Sequence, residues 1–190
     1  MTVGRIICIL IGYAIGLFQT GYIYGKTQHI DIREHGSGNA GTTNTLRTLG
    51  FKAGAITFAG DCGKAILAIF ISWLIFHEQY PEGIKLLGMY AGLGAVLGHN
   101  YPFYMKFKGG KGIACTTGVI LAFHWQMAPL CIGLFIVVVL LTQYVSLGSI
   151  LLVSVFFIEL LLFGQTGHLP VADTYLSLIH ISEPTRHSLI

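Results

Sequence analysis

The chain is 190 residues long, 54% hydrophobic and 10% charged, with a mean hydropathy of +0.72 and a formal net charge of +3. A soluble domain carries about 25% charged residues, so this deficit points to lipid as the solvent and leaves little chain for a separate soluble domain. The cysteines Cys8, Cys62, Cys115 and Cys131 are scattered through apolar segments without CxxC spacing, which argues against a zinc site or a disulfide framework.

In chain order, apolar runs bounded by Gly, Pro and charge predict membrane-spanning helices near 5–24, 53–76, 84–98, 113–125, 128–143 and 147–163. The first run has no small-residue cleavage site and reads as an uncleaved span rather than a signal peptide. Lipid-exposed backbone has to satisfy its own hydrogen bonds, so the predicted fold is an all-α polytopic bundle. Between the first two spans, the stretch from Gly25 to Lys52 carries Lys26, Arg33, Arg47 and Lys52 against Asp31 and Glu34. Two crossings later, Asn100 to Gly112 carries Lys106, Lys108 and Lys111, whereas the intervening turn holds Glu78, Pro81 and Glu82. Positive charge on the inner side then places the N-terminus outside and both basic loops in the cytoplasm, with Tyr144 to Ser149 returning to the same face.

Three polar segments therefore converge on one surface. In Gly36-Ser37-Gly38-Asn39-Ala40-Gly41-Thr42-Thr43-Asn44-Thr45-Leu46-Arg47, glycines admit an anion to backbone amides, hydroxyls and amides add donors, and Arg47 offers a planar two-pronged grip on phosphate. The bland alternative is a flexible loop capping the next helix. The second segment, Gly98-His99-Asn100-Tyr101-Pro102 with Phe107-Lys108-Gly109-Gly110-Lys111-Gly112, opens into an apolar helix and reads as a backbone cradle for an anion. It lacks Walker A spacing, and its lysines taken singly also serve as topology signals. His99 is read equally as a helix-end interfacial residue or a substrate contact. In the third segment, Ser146 and Ser149 share a helical face, a pattern that caps also produce. Asp61 and Lys64, three apart inside the second span, are read as an intrahelical pair that supports the site, because unpaired charge at that depth is costly.

Taken together, SGNAGTTNTLR, GHNYPFYMKFKGGKG and YVSLGS resemble the acyl-phosphate:glycerol-3-phosphate acyltransferases of bacteria in order, spacing and membrane context. The resemblance implies seven spans, of which about six are complete here, and a membrane domain over 1–177. It implies transfer of an acyl group from acyl phosphate to the sn-1 hydroxyl of glycerol 3-phosphate, at the bacterial plasma membrane with the site facing the cytoplasm. Lysophosphatidic acid and inorganic phosphate would be the products, in the first step of phospholipid synthesis. Carried over by motif position, Ser37, Arg47 and Lys111 are expected in catalysis, and Asn39, Thr43, Asn44, His99, Lys106, Lys108, Gly109, Gly110, Gly112, Ser146 and Ser149 in substrate binding. No metal, cofactor or nucleic acid is implied; membrane lipid and an upstream enzyme that forms acyl phosphate are the expected partners. Ser37 as a covalent nucleophile lacks a partner base within its motif.

The sequence also departs from the family's pattern. Thr42 stands where alanine is usual and Gly60 where leucine is common, and both are tolerable. Residues 178–190, with Pro184 among charges, do not resemble the family's last span and basic tail, and are expected to be a non-native or truncated end. A transporter would set its polar groups at the midplane on broken helices, and a CDP-alcohol phosphotransferase would need an aspartate-rich metal motif. Eight acidic residues without such a cluster disfavour the latter, and the glycine and lysine density of Phe107 to Gly112 disfavours a scaffold.

Overall fold

The computed structural model describes the backbone of residues 1–165 and the side chains of residues 1–163; the expected boundary at 177 and the tail 178–190 lie outside the described residues. Within them the chain is all helical: α1 (Thr2–Gly16), α2 (Thr20–Thr27), α3 (Thr42–Leu49), α4 (Phe51–Phe76), α5 (Ile84–Asn100), α6 (Ile113–Phe123), α7 (Ala128–Thr142) and α8 (Val145–Gln165). Short 3-10 turns at Ile32–Glu34 and Phe103–Met105 punctuate the two basic loops.

Three stretches are long and apolar enough to cross a membrane: Thr2–Thr27, Phe51–Phe76 and Val145–Phe163. With 17, 11 and 15 residues, α5, α6 and α7 are about 26, 16 and 22 Å long, short of a full hydrocarbon core. All six predicted spans are thus helical, the first as two helices in one stretch of crossing length and two others, Phe51–Phe76 and Val145–Phe163, at crossing length as single helices.

Small side chains hold α1 against α5. Gly4, Cys8, Gly12 and Gly16 recur every fourth residue and form the buried stripe of α1. An added Cβ on Gly12 would overlap Ala91 O, one on Gly94 would overlap Ile9 O, and one on Gly98 would overlap Tyr13 O. Contact pairs that rise together along both helices make them parallel, as two spans separated by one crossing should be. Where lipid removes the usual hydrophobic drive, this close backbone approach supplies the packing energy. The α4 helix runs antiparallel to α5, with Ala65 and Ala68 meeting Ala95 and, on α6, Cys115 and Val119. The α7–α8 hairpin joins through Ile120, Phe123, Met127, Cys131, Leu152 and Phe156.

Two features depart from the predicted elements. The first span is not one helix: it breaks at Leu17-Phe18-Gln19 and restarts at Thr20. Backbone groups freed by a buried break need partners. Tyr104 OH donates to Leu17 O at 2.6 Å and Lys64 Nζ to Phe18 O at 2.5 Å, while the Gln19 side chain ties the break to α5 by donating from Nε2 to His99 O at 2.9 Å. The second departure is α3, eight residues of helix inside the stretch predicted as a polar loop.

Candidate phosphate site between two loops

The first loop is shaped by Asn44 and by two glycines. Gly36 and Gly38 sit at φ 59° and 69°, in the left-handed region that glycine enters without strain. Asn44, 2% exposed, donates from Nδ2 to Ile32 O at 3.0 Å and His35 O at 2.9 Å, and accepts at Oδ1 from Ser37 N at 2.8 Å. Its hydrogen-bonding groups are therefore engaged in holding the loop. Beside it, Arg33 closes on Asp31 at 2.7 Å and stacks over the Tyr22 ring. Hydrogen bonding from Arg33, reinforced by Lys26, holds the Asp31 carboxyl far below its ordinary value.

Asn39 stitches the two motifs together. Its Oδ1 accepts from Gly41 N at 2.9 Å, and its Nδ2 reaches across to Gly109 O at 3.2 Å. In the second loop, Lys106 and Phe107 take left-handed φ values of 55° and 59°, which a non-glycine residue adopts only when its surroundings enforce it. Gly112 (φ 78°) then starts α6.

The cradle predicted at the second loop needs correcting in its detail. The amides of Gly109 and Gly110 already donate to Asn100 O at 3.0 Å and His99 O at 3.1 Å, so they are not free for an anion. These glycines instead permit close approach: a Cβ on Gly109 would overlap His99 O, and one on Gly110 would overlap His99 Nε2. The amides without an intrahelical partner are those opening α6, after Gly112.

His99 is 2% exposed, which removes it from the interfacial reading. Its Nδ1 lies 2.7 Å from Lys64 Nζ and 3.6 Å from Asp61 Oδ1. Lys64 and Asp61 also pair at 2.9 Å, and Thr20 Oγ1 donates to Asp61 Oδ1 at 3.1 Å. The expected intrahelical pair is thus the core of a buried network that joins α2, α4, α5 and the break before α2.

The side chains of Ser37, Arg47, Lys106, Lys108 and Lys111 are exposed and make no hydrogen bond or ion pair with a described residue. Thr43 is half-buried beside them on α3. Four cations without a described partner, on two loops joined by the Asn39–Gly109 bond and with helix-start amides alongside, are the candidate anion site. The third motif is not drawn into it. Ser146 is exposed, Ser149 Oγ donates back to Val145 O at 2.8 Å, and α8 packs on α7 and α6. No group of three metal-binding side chains occurs among the described residues.

The family profile described as glycerol-3-phosphate acyltransferase matches residues 6–188. The chain belongs to that family. Family relatives named glycerol-3-phosphate acyltransferase include one from Alkaliphilus metalliredigens, 46% identical over 147 residues that cover 77% of this chain and 72% of the relative. Another from Bacillus subtilis is 43% identical over 144 residues, covering 75% and 71%. A crystal structure of PlsY, an integral membrane glycerol 3-phosphate acyltransferase in its glycerol 3-phosphate form, superposes with a TM-score of 0.75 at 34% identity, covering 84% of this chain and 78% of that one. The same enzyme in its lysophosphatidic acid form gives 0.69 at 32% identity. Like that protein, this chain is an integral membrane protein, and its described residues form helices and no strand.

Sequence reasoning missed Gln19 and Thr20, which complete the network beneath the family's second motif, and did not connect Lys64 with His99. Gln19 carried a signal, being an uncharged polar residue in the midst of a predicted span.

Proposed function

We propose that this protein acylates the sn-1 hydroxyl of glycerol 3-phosphate with an acyl phosphate, giving lysophosphatidic acid and inorganic phosphate on the cytoplasmic side of a bacterial plasma membrane. The reading rests on the Asn39–Gly109 hydrogen bond, which joins the loop leading into α3, where Arg47 lies, to the loop that carries Lys111. Both substrates are phosphates, and both leave or remain as anions. Arg47 and Lys111 neutralise the phosphate charge as it departs, and Lys106, Lys108 and Thr43 bind the acceptor phosphate. Ser37, Asn39, Gly109, Gly110 and Gly112 set the loop shape that orients the two.

Acyl phosphate is already activated, so holding the hydroxyl in line with the carbonyl supplies much of the rate. In the reaction the hydroxyl oxygen forms the ester bond, the acyl–phosphate C–O bond breaks with its electron pair going to phosphate, and the hydroxyl proton ends on the released phosphate. That proton balance needs no metal or cofactor.

The test is product analysis with palmitoyl phosphate and labelled glycerol 3-phosphate. The expected result is 1-palmitoyl lysophosphatidic acid and inorganic phosphate in equal amounts. A 2-acyl product, or none, would overturn the proposal.

A further inference from the structure

The Lys64 ammonium has three hydrogens and three acceptors around it: Phe18 O at 2.5 Å, Asp61 Oδ1 at 2.9 Å and His99 Nδ1 at 2.7 Å. A lysine ammonium donates and cannot accept. A hydrogen on His99 Nδ1 would face that ammonium head-on, and a doubly protonated ring would bring two cations into contact. The arrangement is consistent only if Nδ1 carries the lone pair and the ring hydrogen sits on Nε2. The backbone of the residue is held as well, since His99 O accepts from Gln19 Nε2 and from Gly110 N. Nε2 then faces Gly110 so closely that a Cβ there would overlap it, and Nε2 makes no hydrogen bond with a described residue. Nε2 therefore lies against the loop that bears Lys111.

We infer that Lys64, braced by Asp61, is a positioning residue: it holds His99 as a neutral Nε2–H donor aimed at the second loop, where it donates to an oxygen of a bound phosphate-bearing substrate. His99 so held has no lone pair on the site side and is not the base that takes the hydroxyl proton. Asp61 contributes by neutralising the Lys64 charge in the bundle interior, where an isolated ammonium would be expensive, and Thr20 by orienting the carboxylate. This inference rests on the acyltransferase reading for the identity of the acceptor oxygen, but not for the tautomer.

The experiment is nitrogen NMR of the full chain in detergent, labelled at histidine, with His99 assigned by the signals lost in His99→Gln. At neutral pH the expected spectrum has a protonated Nε2 and an unprotonated Nδ1. Lys64→Met, which removes the donor and leaves Asp61 as the nearby acceptor, is expected to move the hydrogen to Nδ1 and to lower kcat/KM at least tenfold. Hydrogen on Nδ1 in the unaltered protein overturns the inference, as does an unchanged His99 tautomer in a folded Lys64→Met. Should that variant fail to fold, the spectrum of the unaltered protein decides alone. If the tautomer is as expected but no acyl transfer to glycerol 3-phosphate occurs, the proposed function fails and the positioning of His99 stands.

Discussion

Gly110→Ala adds a single methyl group and changes no charge. The Cβ would overlap His99 Nε2 and approach Cε1 and Cδ2 at 2.6 and 2.8 Å, so loop and ring cannot both stay where they are. Turning the ring gives up the 2.7 Å contact between Nδ1 and Lys64, a hydrogen bond to a charged group worth about 1.5–3 kcal/mol. Moving the loop instead gives up the Gly110 N to His99 O bond and disturbs the Asn39–Gly109 stitch, a loss of similar size. Either route predicts about 2 kcal/mol, or roughly a 30-fold fall in kcat/KM for glycerol 3-phosphate. Gly63→Ala is the control, because no atom lies within 4 Å of a Cβ there and the helix gains the stability that alanine has over glycine. Rates of lysophosphatidic acid formation by the two variants, at matched amounts of folded protein, give the comparison. A Gly110→Ala enzyme within threefold of Gly63→Ala would refute the contact argument.

Arg47→Lys should lose at least tenfold in kcat/KM, because a point charge replaces a planar two-pronged donor, whereas unchanged kinetics would reduce Arg47 to a topology marker. Gly12→Leu should lower the thermal unfolding midpoint by several degrees, since its side chain would meet the Ala91 backbone and overpacking costs about 1–3 kcal/mol; a wild-type midpoint would show that α1 and α5 separate freely. Asp31 has a depressed carboxyl pKa in the folded protein, so its stabilisation is present above the unfolded value near 4 and is lost as pH falls further towards the folded one. The midpoint difference between wild type and Asp31→Asn should therefore persist from about pH 7 to 5 and shrink below about pH 4. Single cysteines placed at Ser37 and Lys111 should label from the cytoplasm and one at Glu82 from outside; labelling of the first two from opposite sides would dissolve the shared site.

The helices and the polarity of the loops were legible in the sequence because lipid demands long apolar runs, and those are visible one residue at a time. The joining of the first two motifs was legible only as parity, since nothing in Asn39 foretells that its amide crosses to Gly109. The break at Leu17 to Gln19 was hidden because its residues are mostly apolar and contain no proline; the capping groups lie at Lys64 and Tyr104, far away in sequence. The Lys64–His99 contact was nearer to reach. Counted from the turn that the two helices share, Lys64 lies 12 residues before Phe76 and His99 lies 15 after Ile84, depths of about 18 and 22 Å. Matching depths across that turn would have paired them. The glycines misled in a different way: a glycine-rich anion loop and a glycine-rich close contact read alike until the acceptors of Gly109 and Gly110 are seen.

The most direct measurement of the central claim is the choice of donor. Purified protein is given glycerol 3-phosphate with palmitoyl phosphate, palmitoyl-CoA or palmitoyl acyl carrier protein, and lysophosphatidic acid is quantified alongside released phosphate. A site built from free cations around a small anion predicts rapid product formation with palmitoyl phosphate and none above background with the two thioesters. Equal or faster transfer from a thioester would contradict the account.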